Sequence, residues 1–86
     1  MNAVVLTIAK LVKRHRIALN MTRIELARMI GLPNGQLIYA IENGLSRIPT
    51  EKVQRLCDAL KIPPKMMADL MISEHEDKIN SALGLK

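Results

Sequence analysis

Hydrophobic positions change period several times along the 86-residue chain, and each change marks an element. Val5, Ile8, Val12 and Leu19 recur at helical spacing with Leu11 widening the stripe, while Lys10, Lys13 and Arg14 fall on the other side. This predicts a helix over 3–19, ended by Asn20, a residue type that tolerates left-handed backbone. A second pattern starts at Thr22, a good N-cap, with Glu25 three residues later as a capping box requires. Leu26, Ala27 and Ile30 supply its apolar face, so a helix is expected over 22–30. Gly31 follows where a helix end favours positive φ, and Pro33 bars helix across the turn because it lacks an N–H and restricts Leu32. A third helix, 34–42, begins at the candidate cap Asn34, carries Ile38 and Ile41, and stops at Asn43-Gly44. After a loop over 45–49, Pro49 precedes a helix over 50–60 whose inner face is Val53, Leu56, Cys57 and Leu60. Ile62 and Pro63-Pro64 interrupt the chain before a last helix over 64–82, with Met67, Leu70, Met71, Ile79 and Ala82. The whole pattern predicts one all-α domain over 1–86.

Residues 22–44, TRIELARMIGLPNGQLIYAIENG, organise the rest. Two short helices joined by a sharp glycine turn make a helix-turn-helix, whose second helix enters the DNA major groove. Thr22, Glu25-Leu26-Ala27, Gly31 and Ile41-Glu42-Asn43-Gly44 match in order, with Ile8, Val12 and Arg16 upstream and Pro49 and Ala59-Leu60 downstream. On these residues the stretch over 8–72 resembles the helix-turn-helix of phage repressor and Cro proteins, the lambda-repressor-like family. The resemblance implies a five-helix DNA-binding domain and a sequence-specific transcription regulator of duplex DNA. It further implies a repressor working as a homodimer on a palindromic operator, in a phage, plasmid or other mobile element. The alternative in another class is an antitoxin-type module that binds a toxin and its own operator.

The turn departs from the family pattern, because Gly31 to Gly44 is one residue longer than in most relatives. Two registers follow. Anchored on Ile-Glu-Asn-Gly, Asn34 is the cap, Ile38 and Ile41 enter the core, and Gly35, Gln36, Tyr39 and Ala40 face the groove with Leu37 flanking. Anchored on Gly31, Leu37 and Ala40 are core, and Asn34 and Ile38 join Tyr39 outside. The first is favoured because Ile-Glu-Asn-Gly is the more specific match. It makes Gln36 a bidentate reader of adenine and puts Leu37 or Ala40 against a thymine methyl. Tyr39, the only aromatic residue, reaches a phosphate or base edge or packs under a neighbouring helix.

Charge placement supports a nucleic-acid partner. The net charge is +5, and all of the excess lies in residues 1–47, with seven Lys and Arg against two acids. Residues 48–86 hold six of each sign. Such a field attracts phosphate. The family implies backbone contacts from Thr22, Arg23, Asn34, Asn43 and Arg47. Arg16 is expected to pair with Glu42, tying the first helix to the third. Glu74, Glu76 and Asp77 around His75 form an acidic patch that would repel DNA and is a candidate protein-interaction surface. Met66, Met67, Leu70 and Met71 are the expected dimer contact.

A chain this short buries only about 60% of its unfolded surface. It has no Phe or Trp, so its core must be aliphatic. With Cys57 the only cysteine, no internal disulfide can form, which fits a reducing cytoplasm. The apolar run Ala3 to Ile8 precedes its basic residues, the reverse of a signal peptide. Paired Cys and His ligands, a phosphate-binding glycine loop and a nucleophile elbow are all missing from the sequence. No catalytic residue, metal or cofactor is therefore expected. His15, on the apolar side of the first helix, reads as a partly buried core residue.

Overall fold

The computed structural model describes residues 3–85. They form α1 (Ala3–Ala18), α2 (Arg23–Met29), α3 (Gln36–Glu42), α4 (Thr50–Leu60) and α5 (Pro64–Ala82), with no strand among the described residues. The start of α3 differs most from expectation. It begins at Gln36 because Asn34 does not cap directly; its Oδ1 accepts the Gln36 N–H at 2.9 Å and closes a turn before the helix.

The core is aliphatic. Ile8 and Val12 of α1 meet Leu26 and Ala27 of α2, Ile38 and Ile41 of α3, and Leu56, Cys57 and Leu60 of α4. Each fully buried Leu or Ile contributes about 1.5–3 kcal/mol. Three loop residues, Ile30, Ile48 and Ile62, and Met67 of α5 complete this cluster. Burial pushes the Cys57 thiol up, so it behaves as a small apolar group.

α1 packs against α3 and α5, and α2 against α3 and α4. α1 and α5 run antiparallel: Lys10, Leu11 and Arg14 share a groove with Met66 and Leu70, whereas Val5 and Ile8 lie beside Met71, Glu74 and Lys78. His15 joins α1 to the end of α4. Its Nδ1 lies 2.8 Å from the Leu60 carbonyl oxygen. A carbonyl can only accept, so Nδ1 carries the proton and satisfies a helix-terminal carbonyl.

Two expectations for α5 are corrected. Met67 is not available to a dimer partner: it is 1% exposed and inserted into the core of its own chain. Glu74 is not part of a solvated acidic patch: it is buried and accepts a hydrogen bond from the Arg47 guanidinium. Met66 is exposed, while Leu70 and Met71 are half-buried against the core. Among the described residues no helix is long and apolar enough to cross a membrane.

Candidate nucleic-acid interface

The capping box forms at the start of α2. Thr22 Oγ1 accepts the Glu25 N–H at 3.0 Å, and Glu25 Oε1 accepts the Thr22 N–H at 2.9 Å. The bond from the Thr22 N–H, and after it the Thr22 hydroxyl, holds the Glu25 carboxyl below its ordinary value. The turn after α2 is closed at Gly31, with φ of +79°. The Gly31 N–H donates to Arg28 O at 3.2 Å and the Leu32 N–H to Ala27 O at 2.8 Å, the paired bonds of a Schellman motif. Lys52 and Arg55 of α4 stand against this glycine, with Lys52 Nζ reaching Gly31 O at 3.5 Å. Two cations from the charge-neutral half of the chain are thus added to the basic half.

In α3, Ile38 and Ile41 face the core. This is the register anchored on Ile-Glu-Asn-Gly; the extra residue is absorbed by the Asn34-Gly35 turn. The outer face presents Gln36, Tyr39 and Asn43, all exposed, with Leu37 and Ala40 half-buried beside them. Asn43 Nδ2 donates to Tyr39 O at 2.8 Å, so its amide also closes the last turn of the helix. Gly35 stands apart from the other expected groove residues. A Cβ there would lie 3.2 Å from Arg23 Cβ and 3.4 Å from the Arg23 carbonyl carbon. The start of α3 therefore approaches the start of α2 too closely for an unadjusted side chain at this position.

Behind the exposed face lies an ion cluster. Arg16 Nε donates to Glu42 Oε2 at 2.6 Å and its Nη2 to Oε1 at 3.0 Å, while Nη1 donates to Met21 O at 2.8 Å. Arg23 Nε donates to the same Oε1 at 3.1 Å. One carboxylate therefore serves two guanidinium groups, leaving one positive charge over. Exposure of the side chains is 10% for Arg16, 37% for Arg23 and 0% for Glu42. The bonds to Glu42 raise the Arg16 pKa against the opposing effect of burial. Arg23 also lies over the Tyr39 ring, 5.2 Å from its centroid, a cation–π contact at the exposed edge of the cluster.

Three features here were not expected from sequence: the second arginine on Glu42, the stacking of Arg23 on Tyr39, and the hold of Glu74 on Arg47. Nothing local announces them. Arg23 and Glu42 are 19 positions apart and Arg47 and Glu74 are 27 apart, so each pairing needs the tertiary arrangement. The scarcity of acids in residues 1–47 was the one available hint that Glu42 would be shared.

Together these contacts hold the α3 backbone from behind while Gln36 and Tyr39 remain outside. Comparison with known families matches the helix-turn-helix model to residues 12–66, from the middle of α1 into the first turn of α5. Comparisons with curated proteins and with solved structures give no match. The matched stretch is more than half of the chain and contains α2, α3 and the glycine turn between them. The chain belongs to the helix-turn-helix family of Cro and phage-repressor type, with an all-helical lambda-repressor-like fold and the DNA-binding, transcription-regulating role of that family.

Proposed function

We propose that this chain is a repressor that occupies a palindromic operator as a homodimer, with residues 1–86 acting as one reading unit. The observation that carries the reading is α3, with Ile38 and Ile41 buried, Glu42 clamped by two arginines, and Gln36 and Tyr39 exposed. A reading helix held this way enters the groove with little further ordering. Gln36 is the base reader, Tyr39 and Ala40 meet base edges or a thymine methyl, and Leu37 flanks them. Thr22, Arg23, Asn34, Asn43 and Arg47 take the phosphate backbone, which sets register without carrying sequence. Arg23 donates Nε inward to Glu42 and keeps its remaining N–H groups for phosphate.

The proposal of a homodimer rests on the size of the site. One helix reads only a few base pairs, too few to select a genomic site. Selection of operator DNA from random duplexes, with footprinting across salt concentrations, tests the function. A palindrome with half-sites about one helical turn apart is expected. Gln36→Ala should weaken specific binding by about 1–3 kcal/mol and relax one base-pair preference. Full affinity and unchanged specificity in Gln36→Ala would remove it from the groove.

A further inference from the structure

A cavity of about 250 Å³ lies where α1, the end of α3, the 45–49 loop and α5 meet. Its lining is mixed, with Ile8, Ile48 and Met71 among the aliphatic residues and Ser46 and Thr50 among the polar ones. Its mouth is polar and carries Arg47, Glu74, His75 and Lys78. We propose that this cavity binds a small monocarboxylate with an unbranched aliphatic body, and that the bound ligand weakens DNA binding by holding Arg47.

The ligand class follows from the walls and the charges. A sugar or nucleoside could meet Ser46 and Thr50, but its other hydroxyls would lie against Ile8, Ile41, Ile48 and Met71, and each unpaired group carries a desolvation penalty. A cationic ligand would need a free carboxylate, but among the described residues that line the cavity the one carboxylate, Glu74, is buried and already bonded to Arg47. Arg47 and Lys78 are two full positive charges against that one acid, so the mouth keeps a surplus that suits an anion. An aliphatic chain fills the cavity by apolar burial, while its carboxylate meets Lys78 Nζ and the outer N–H groups of Arg47.

The link to DNA is short. Ile41 of the reading helix and Arg47 of the loop behind it both line the cavity. A carboxylate on the outer N–H groups of Arg47, whose Nε is held by Glu74, takes the donors that phosphate would use, so ligand and DNA compete for one side chain and each lowers the affinity of the other. The effect on DNA rests on the backbone role proposed above for Arg47; occupation of the cavity does not.

The test uses the full chain and octanoate as the probe, with acetate and 1-octanol as headgroup-only and chain-only controls. In the absence of DNA, calorimetry should show one saturable octanoate site, and methyl spectra should shift at Ile8, Ile48 and Met71. Lys78→Gln, at an exposed position, should weaken octanoate at least tenfold. Saturating octanoate should then lower DNA affinity and reduce the salt slope by about one unit. Absence of saturable binding at millimolar octanoate, equal binding of 1-octanol, or no loss in Lys78→Gln would overturn the site. Octanoate that binds and leaves DNA affinity unchanged would overturn the coupling. Failure to bind DNA without octanoate would defeat the repressor reading and the coupling with it, while calorimetry still decides the cavity.

Discussion

Glu42 is the most constrained residue at the interface, and magnitudes divide its two partners. Its pairing with Arg16 is buried, bidentate and charge-assisted. Removing Glu42 leaves Arg16 buried without its ionic partner, which costs about 3–5 kcal/mol; removing Arg16 leaves Glu42 with Arg23 and costs somewhat less. Arg23 is more than a third exposed, so its share of Glu42 is screened and contributes only about 0–1 kcal/mol to folding. The two arginines on one carboxylate are therefore unlike. Arg16 holds the fold together, and Arg23 uses Glu42 and Tyr39 to aim its guanidinium. Arg16→Ala should unfold the chain at markedly lower denaturant, whereas Arg23→Ala should shift the midpoint little but lower affinity for all DNA sequences and reduce the salt slope by about one unit. A double-mutant cycle on Arg16 and Glu42 should show strong coupling; strict additivity would dissolve the pair. Arg23→Lys distinguishes aim from charge, because an ammonium keeps the charge but loses the planar face over Tyr39. If Arg23→Lys binds DNA like the parent, stacking contributes nothing to recognition.

The helices share one way of stopping. After each of the five, a residue with positive φ closes paired bonds to the preceding turn: Asn20, Gly31, Gly44, Lys61 and Gly84. Three are glycines and Asn20 is a tolerant residue, which leaves Lys61, at φ of +56°, bearing the steric cost of a Cβ in left-handed backbone. Lys61→Gly should raise stability by about 0.5–1 kcal/mol in denaturant titration, since relief of that cost outweighs the added freedom of the unfolded chain. A loss of stability would mean that the Lys61 side chain contributes more than its backbone costs. At the other end of α2, the lowered Glu25 pKa makes the capping box sensitive to acid. Its stabilisation is complete above the ordinary glutamate value and is lost as pH falls through the lowered folded value, because the protonated carboxyl no longer holds the Thr22 N–H as strongly. Glu25→Gln should flatten the acid limb of the Tm profile, below the ordinary glutamate value. These element-level features were legible in the sequence because they are local: Thr22 with Glu25, glycine after Ile30, and Ile38 with Ile41 are all read within a few residues. Lys61 was missed because Pro63-Pro64 beyond it offered a more conspicuous stop. α5 was misread because apolar side chains lie on several sides of it, so spacing alone could not say that Met67 faces inward.

At the scale of the whole molecule, the proposed dimer has a second candidate surface beside the one expected from sequence. Met67 is withdrawn into the core, and Leu70 and Met71 are half-covered by their own chain. Ile72, Ile79 and Leu83 are exposed instead. At the helical repeat they fall within about 40° of one another, on the side of α5 turned away from Met67 and Glu74. Such a stripe on the outside of a terminal helix, with Glu76 beside it, can bury itself against its own copy about a two-fold axis, since the same patch then serves both partners. The contact would also relieve the thin margin of a small aliphatic core. Ile72→Lys with Ile79→Lys should keep the helical fold, because neither side chain is buried, yet yield a monomer that protects one half-site and loses most operator affinity. Light scattering gives the mass and footprinting the extent of protection. Met66→Lys serves as the comparison, as it places the same charge in the α1–α5 groove that holds Met66 and Leu70. A dimer broken by Met66→Lys and intact in the double variant would return the contact to that groove. A parent chain that is monomeric even on its operator would end the dimer reading.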